Sequence, residues 1–515
     1  MEFQKLILWL EVSTLRRCSK FFKWHSENYY SLTFDDVSLR TGHSKVSPKE
    51  VDVSTKITKN VTLKTPIVSS AMDTVTEHEL ATAMAKEGGM GFIHKNLTAE
   101  EQAWQISKVK NNLNGKTGLI KKPICIRENQ TLKDVDEYRK RKDFQFSSFL
   151  VVDENKRLKG IITSKHFLFT DDYNKKISDI MLKDVVTAPE KTNMGEALKI
   201  LKKNWTKALP LVDKKGHVKG MYAYKDILSI EKGLTNEFNM DEEGRLRVGA
   251  AIGDSLSDEN LERLKLLLER EPDVILIDSA HGDTQNMINM IKYMNKNYPN
   301  VEIFVGNISE PESAERILKA GKVGGIKVGQ GPGSICSTRK VAGIGCPQLS
   351  AVYEITEIAE KKGVPVCADG GIKYSGDIVK AIGAGAHSVM LGSLLAGTKE
   401  SPGKEVWIDG KLCKTYRGMG SVSAMKESSA SRERYRQQEK KEPVPEGVES
   451  AVPYKGTISN QINMLIGGVR NGFGYTGCEN VESLRKNSDF RRVTPAGAQE
   501  SMPHSVQITA RPPNL

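Results

Sequence analysis

The residues with the most chemistry to offer lie between Gly329 and Gly345, in the stretch G-Q-G-P-G-S-I-C-S-T-R-K-V-A-G-I-G. Glycines at 329, 331 and 333 let the backbone take positive φ and bring its amides close to a ligand, and Ser334 adds a hydroxyl to such an anion cradle. Cys336 follows on the same loop. A thiol of ordinary pKa, about 8.5, is only slightly ionised at neutral pH, yet cysteine remains the most nucleophilic common side chain. A lone cysteine is more often a small buried hydrophobe. Framed by glycines, with Thr338 and Arg339 beside it, this one reads as a nucleophile. The stretch fits neither common nucleotide fingerprint: no G-K-[ST] follows, and Ser334 stands where a dinucleotide loop has its third glycine.

Such a loop needs a frame. Short apolar runs recur at Pro66–Ser70, Gly91–His94, Arg247–Ala251, Val274–Asp278, Glu302–Asn307, Gly325–Gly329, Pro365–Asp369 and Ser388–Gly392. Helical patterns alternate with them at Glu77–Glu87, Ala99–Val109, Asn260–Glu269, Thr284–Asn295, Pro311–Ala320, Leu349–Lys361 and Ser375–Ile382. Continuous apolar strands alternating with helices predict parallel β covered on both faces, and eight is the count of a closed (β/α)₈ TIM barrel, an α/β fold. Ser70, Asp278, Asn307, Gly329, Asp369 and Gly392-Ser393 all fall at the C-terminal ends of these runs, the rim where such barrels keep their chemistry.

Between the second and third strands lies an insertion, residues 113–234. Within it, Leu150-Val151-Val152-Asp153 and Gly160-Ile161-Ile162-Thr163 recur as Leu211-Val212-Asp213 and Gly220-Met221-Tyr222-Ala223. Each copy (113–176 and 177–234) is too small to bury its apolar face alone, so the two are expected to pack together. The barrel is then 31–112 plus 235–515. Val406–Tyr416 reads as a hairpin, and the polar segment within 417–447 as a mobile flap. Order resumes at Pro453, with a helix near Ser459–Val469. Residues 1–30 stay unassigned: Leu6–Leu10 is too short and ill-flanked for a signal peptide, and Arg16-Arg17, Lys20 and Lys23 follow among aromatics.

Composition narrows the class. A 515-residue chain with 38% apolar and 27% charged residues is ordinary for a water-soluble, multidomain protein. Its net charge of +12 suits anionic ligands, but no long basic block or aromatic ladder argues for nucleic acid. Seven scattered cysteines without a C-x-x-C argue for a reducing, cytoplasmic setting and against a disulfide framework or zinc. No apolar run is long enough to cross a membrane.

The motifs L-T-F-D-D-V, S-S-A-M-D-T-V-T-E, G-R-L-R-V-G-A-A-I-G, G-P-G-S-I-C-S-T-R, A-D-G-G-I-K-Y-S-G-D-I-V-K-A, V-M-L-G-S, Y-R-G-M-G-S and V-P-E-G-V-E-S-A-V-P-Y-K-G occur in that order. From about Leu32 to the C-terminus the chain resembles the bacterial-type inosine-5′-monophosphate (IMP) dehydrogenases. The resemblance implies NAD-dependent oxidation of IMP to XMP, the first committed step of guanine nucleotide synthesis. It makes Cys336 the covalent nucleophile and Arg434-Tyr435 with Thr338 the groups that activate water once the flap has closed. Ser334, Gly371, Gly392, Ser393 and Tyr416 would hold the IMP phosphate, and Asp369 the ribose. Ser70, Met72, Met419, Gly420 and Glu446 would contact the purine. Asp278, Ser279, His281, Asn307 and Gly329 would line the NAD side. A K⁺ would take backbone carbonyls of Gly331, Gly333 and Cys336, and of Glu500, Ser501 and Met502 from a neighbouring subunit. That implies a homo-oligomer, tetramer or octamer.

The flap departs from the bacterial pattern, with Glu433 and Arg436 where Asp and Phe are usual. The inserted repeat resembles tandem cystathionine-β-synthase-type (CBS) domains, which bind adenine or guanine nucleotides through a Thr and an Asp. Here the first copy has Thr163 but His166, and the second Asp226 but Ala223, so each keeps one of the two. The rival reading is GMP reductase, which shares the barrel and the Cys loop. Against it stand the tandem insertion, the long flap and V-P-E-G-V-E.

Overall fold

The structure is a computed structural model that describes residues 16–141, 148–440 and 442–509; the run Leu6–Leu10 lies outside the described residues. The chain divides into two compact units. One comprises the chain up to Val109, Glu237–Asn239 and everything from Arg247; the other is Lys110–Asn236 with Met240–Leu246.

The first unit is built on eight parallel strands closed into a barrel in chain order. They are β1 (Ile67–Ser69), β2 (Met90–Ile93), β3 (Val248–Ile252), β4 (Val274–Asp278), β5 (Ile303–Ile308), β6 (Gly325–Val328), β7 (Val366–Asp369) and β8 (Ser388–Leu391). All eight expected strands form, with no end moved by more than one residue. β8 pairs with β1 (Val389 opposite Ile67) to close the ring, and β2 pairs with β3 (Gly91 opposite Val248) across the insertion. Apolar residues on both faces suit strands covered inside and out. Val274, Leu276, Phe304, Phe92, Met90 and Cys367 fill the interior, while Ile57, Val61 and Leu63 join the same cluster. The rings of Phe92 and Phe304 meet at 5.5 Å. A Cβ on Gly249 would lie 2.3 Å from the Phe92 ring, so that wall position must be glycine.

Beyond β8 the expected hairpin, β9 (Glu405–Ile408) and β10 (Lys411–Arg417), gains a third strand, β11 (Glu449–Pro453). Between β10 and β11 the segment expected to be a loop holds two short helices, Val422–Glu427 and Ser429–Arg434. Ser421 and Ser428 cap them through their side chains, satisfying otherwise orphaned amides. Among the described residues no helix is long and apolar enough to cross a membrane.

The chain is ordered well before Leu32. A helix, α1 (Ser19–Glu27), packs Phe22 against Tyr353 (centroids 4.3 Å) and Phe490 (5.3 Å). The Arg16 guanidinium donates to the Ala384 carbonyl at 2.6 Å and to Glu357 at 2.5 Å, and Cys18 Sγ donates to the Gly383 carbonyl. These partners precede β7 and β8, at the end of the barrel opposite the strands' C-termini.

In the second unit, strand, helix, strand, strand and helix occur twice in the same order. The first copy has strands Cys125–Arg127, Phe149–Val152 and Leu158–Ile162; the second has Ala188–Pro189, Ala208–Val212 and Val218–Ala223, joined by Leu119–Ile120. The repeat extends to hydrogen bonds. Asp153 Oδ1 accepts from the Asn155 and Arg157 amides as Asp213 Oδ1 accepts from those of Lys215 and His217, all at 2.9 Å. The copies meet where the Leu158 amide donates to Gly216 and that of Val218 to Lys156.

Candidate active site

The C-terminal rim of the barrel opens into a cavity of about 410 Å³. Its floor is polar because four strand ends carry polar side chains. Lys327, on β6, donates to Asp278 Oδ1 at 2.9 Å, Asn307 Oδ1 at 2.6 Å and Asp369 Oδ2 at 2.9 Å. Asn307 in turn donates to Asp369 Oδ2 at 2.9 Å and to the Gly329 carbonyl at 2.7 Å. Lys327 and Asp278 are almost wholly buried, with side chains 3% and 5% exposed, so their charges must compensate one another. Among the described residues no hydrogen bond of the network reaches Asp369 Oδ1.

The Cys loop springs from β6. Gly329 and Gly331 have φ of +145° and +79°, conformations that exclude most side chains. Arg339 folds back along the loop, donating to the carbonyls of Gln330 (3.2 Å) and Cys346. It is therefore a structural brace. Cys336 is half-buried on the cavity wall, where its thiol donates to the Thr338 hydroxyl at 3.2 Å. The segment before β11 runs alongside: the Ser337 amide donates to the Glu446 carbonyl and the Val448 amide to that of Ile335, both at 3.0 Å. By contrast, burial pushes the Cys18 and Cys346 thiols up to about 11 and that of Cys367 up to about 12. Those three are core residues and poor nucleophiles.

Opposite the cysteine loop, Gly370 and Gly371 follow β7 with φ of +87° and +78°, a backbone turn whose amides suit an anion. Ser393, Gly392 and Tyr416 complete that corner. Burial pushes the Tyr416 phenol up, while a hydrogen bond with Ser334 opposes the shift. Ser70 Oγ is buried in the cavity lining with no protein partner, an orphan that a bound ligand would satisfy.

The Ser429–Arg434 helix sets Arg434 and Tyr435 in the remaining wall. Arg434 pairs with Asp278, and its carbonyl accepts from the Ala280 amide at 3.2 Å. Burial lowers the Arg434 pKa and raises that of Tyr435, to which it is hydrogen-bonded. Tyr435 lies flat on Gly420, where a Cβ would come within 2.6 Å of its ring. A guanidinium held in a dry site beside a thiol, an anion corner and a free carboxylate oxygen suits nucleophilic chemistry on a phosphorylated ligand, followed by proton transfer.

Residues 31–504 match the IMP dehydrogenase / GMP reductase domain. The chain belongs to this family. Inosine-5′-monophosphate dehydrogenase of Halalkalibacterium halodurans is 45% identical over 484 residues, 94% of this chain and 97% of the relative. That of Bacillus subtilis is 44% identical over 495 residues, 95% and 99% of the two. A solved structure of a cysteine-to-alanine variant of GMP reductase from Trypanosoma brucei, in complex with guanosine 5′-monophosphate, matches with a TM-score of 0.80 at 38% identity. It covers 93% of this chain and 98% of its own. With its full-length relatives the chain is an oxidoreductase of the bacterial IMP dehydrogenase type. The reductase match, however, extends over more of the chain than the barrel alone supplies. The tandem insertion therefore does not separate the two kinds of family member, contrary to the expectation above.

Most residues singled out in the sequence line the cavity, including Met72 and Met419. Gly420 and Glu446 lie just behind it, linked by the Glu446 amide donating to the Gly420 carbonyl at 3.0 Å. Ser279 does not face the cavity: it is buried, and its hydroxyl donates to the His281 carbonyl at 3.2 Å. His281 is exposed outside the lining, its Nδ1 accepting from Gln330 Nε2 at 3.0 Å. Glu500, Ser501 and Met502 sit on an exposed helix end away from the lining residues. Lys327 was missed, although a lysine inside the run Gly-Ile-Lys-Val was a signal: a charge in a fully covered strand must meet countercharges at its end.

Proposed function

We propose that this chain oxidises IMP to XMP, with hydride passing to NAD⁺, through a thioester-like adduct on Cys336 that water then cleaves. The observation that carries the reading is the convergence of Cys336, Thr338, Arg434 and Tyr435 on one cavity. The Cys336 thiol, on losing its proton, would add through sulfur to C2 of the hypoxanthine ring and displace the C2 hydride, for which NAD⁺ would supply the acceptor. The anion corner at Ser334, Gly371, Gly392, Ser393 and Tyr416 takes the phosphate, and the free oxygen of Asp369 takes a ribose hydroxyl. Ser70, Met72, Met419, Gly420 and Glu446 flank the purine.

The second half needs a proton acceptor for water. Arg434 is suited because burial opposes its charge, and Tyr435 and Thr338 orient the water and the sulfur. Asp278, Asn307 and Gly329 bound the corner that the nicotinamide would enter, with Ser279 supporting the loop and His281 at its mouth. Arg434 now fills that corner against Asp278, which supports alternate occupation by flap and dinucleotide.

A K⁺ fits the oxygen chemistry of the Cys loop. Among the described residues no hydrogen bond engages the Gly331 or Cys336 carbonyl, and the Gly333 carbonyl accepts only the Cys336 amide. The exposed Glu500, Ser501 and Met502 would supply the remaining carbonyls from another copy, in a homotetramer. In the inserted repeat, the hydroxyl of Thr163 and the imidazole of His166 lie 3.2 Å apart across a helix cap. Nucleotide binding there is tested by adding ATP and GTP to the assay.

The deciding experiment compares NADH formation from IMP and NAD⁺ with NADPH oxidation by GMP. The first should proceed and the second should not. Activity with GMP alone would assign the chain to the reductases, the reading its solved neighbour favours. Cys336→Ala should bind IMP but form neither NADH nor adduct.

A further inference from the structure

The two flap residues that depart from the bacterial pattern, Glu433 and Arg436, bracket the Arg434-Tyr435 pair. Each meets a rim group of opposite charge. Glu433 Oε2 accepts from Lys95 Nζ at 2.9 Å, and Oε1 accepts from Ser255 Oγ at 2.5 Å. Arg436 reaches Asp254 Oδ2 at 3.3 Å. Lys95 lies in the loop after β2, and Asp254 and Ser255 lie in the loop after β3. A Cβ on Gly253 would fall 2.3 Å from Glu433 Oε2, so the backbone has been cleared to admit this carboxylate. One residue beyond Lys95, Asn96 accepts from Ser431 Oγ at 2.9 Å and donates to Asp73 at 2.9 Å.

We propose that Lys95 and Asp254 are positioning residues for the hydrolytic step: they clamp Glu433 and Arg436 and so hold Arg434-Tyr435 in register against Cys336. This rests on the IMP dehydrogenase reading above. The alternating polarity makes the clamp selective. A flap docked one residue out of register would set Arg432 or Arg434 against Lys95, and one docked two residues out would leave Lys95 uncompensated. The two contacts are unequal. The Lys95–Glu433 side chains are 3% and 16% exposed, whereas Arg436 is 49% exposed. Buried pairs are costly to break from one side, and exposed ones contribute little. Lys95 and Glu433 therefore carry the clamp, and Arg436 trims it. Neither Lys95 nor Glu433 lines the cavity, so neither is assigned a catalytic role.

The test separates hydride transfer from hydrolysis. Full-length wild type, Glu433→Gln, Lys95→Met, Arg436→Ala and the charge-reversed pair Lys95→Glu with Glu433→Lys are mixed with IMP and NAD⁺ in a stopped-flow instrument. Glu433→Gln and Lys95→Met should keep the NADH burst, which also shows that the barrel is intact. Their steady-state turnover should drop about tenfold or more, because one-sided loss of a buried pair empties the closed state. The adduct on Cys336 should then accumulate, visible by mass after acid quench. Arg436→Ala should change turnover by less than about threefold, because its guanidinium is half exposed and the buried Asp254 keeps the Thr284 hydroxyl as a donor. The reversed pair should recover most of the lost turnover. Turnover of Glu433→Gln within about twofold of wild type would overturn the clamp, this being the scatter of a residue of no consequence. So would a reversed pair no better than the single variants, or a burst lost in step with turnover. If wild type forms no NADH from IMP, the functional reading itself fails, and the clamp fails with it.

Discussion

A lysine inside a barrel strand is the residue on which the site's electrostatics turn. Lys327 offsets Asp278 and Asp369, and Arg434 adds a second positive charge at Asp278. Arg434 is thus held by charge while its own ionised form is disfavoured by burial, the condition a base of this kind needs. Arg434→Ala should leave the NADH burst intact and slow hydrolysis by about 10²–10⁴-fold, the usual reach of general-base catalysis, as followed by quenched-flow detection of the adduct. A second residue-level expectation concerns His387. Burial, with Arg485, Arg16 and Lys56 nearby, holds its pKa well below the usual histidine value, and its Nδ1 accepts from the Val366 amide at 3.2 Å. The unfolded chain takes up a proton below about pH 6.5 that the folded chain refuses, so stability falls as the pH drops through that value. His387→Gln keeps an acceptor without the titration. It should flatten the decline between about pH 6.5 and pH 5, measured by urea unfolding at a series of pH values. Asp278, Asn307 and Asp369 were legible because each ends an apolar run. Lys95 was not, because its meaning lies in Glu433, contributed by a distant segment; Lys327 was passed over although a charge inside a covered strand marked it.

At the scale of elements, the eight strands were legible because full burial makes each a continuous apolar run with a polar terminus. Their ends shifted by at most one residue, where hydrogen-bond pairing, not hydropathy, sets the limit. The flap's helices were obscured by polarity: Ser429–Arg434 has no apolar stripe, and charges fasten it to the rim. The base role of Arg434 came from family resemblance, since an arginine on a polar segment otherwise reads as solvated. Helix α1 was hidden for a different reason. Its buried side chains, Phe22 foremost, pack on Tyr353 and Phe490, residues far away in the chain. Phe22→Ala should lower unfolding stability by about 3–5 kcal/mol, the cost of emptying a buried aromatic site. It should leave turnover unchanged, because α1 lies at the far end of the barrel from Cys336. Denaturant unfolding and steady-state kinetics on the same sample check both halves.

For the whole molecule, the K⁺ site proposed above makes self-assembly part of its own test. Carbonyl ligands are indifferent to side chains, so Met502→Ala should keep its K⁺ dependence, while replacing K⁺ by Li⁺ should lower turnover in variant and wild type alike. Dilution that drives the oligomer to monomers should abolish the K⁺ response, with sedimentation and activity followed in parallel. Helix α1 bears on how that molecule is made. It is synthesised long before the segment it packs on: the Arg17 amide binds the carbonyl of Lys486, and Phe22 rests on Phe490. At ordinary synthesis rates of about 5–20 residues per second, the interval is on the order of half a minute to a minute and a half. Through that time Phe22 lacks the Phe490 ring that buries it in the fold. Until the Phe490 segment emerges, the nascent chain therefore carries an apolar helix face without the surface that later covers it.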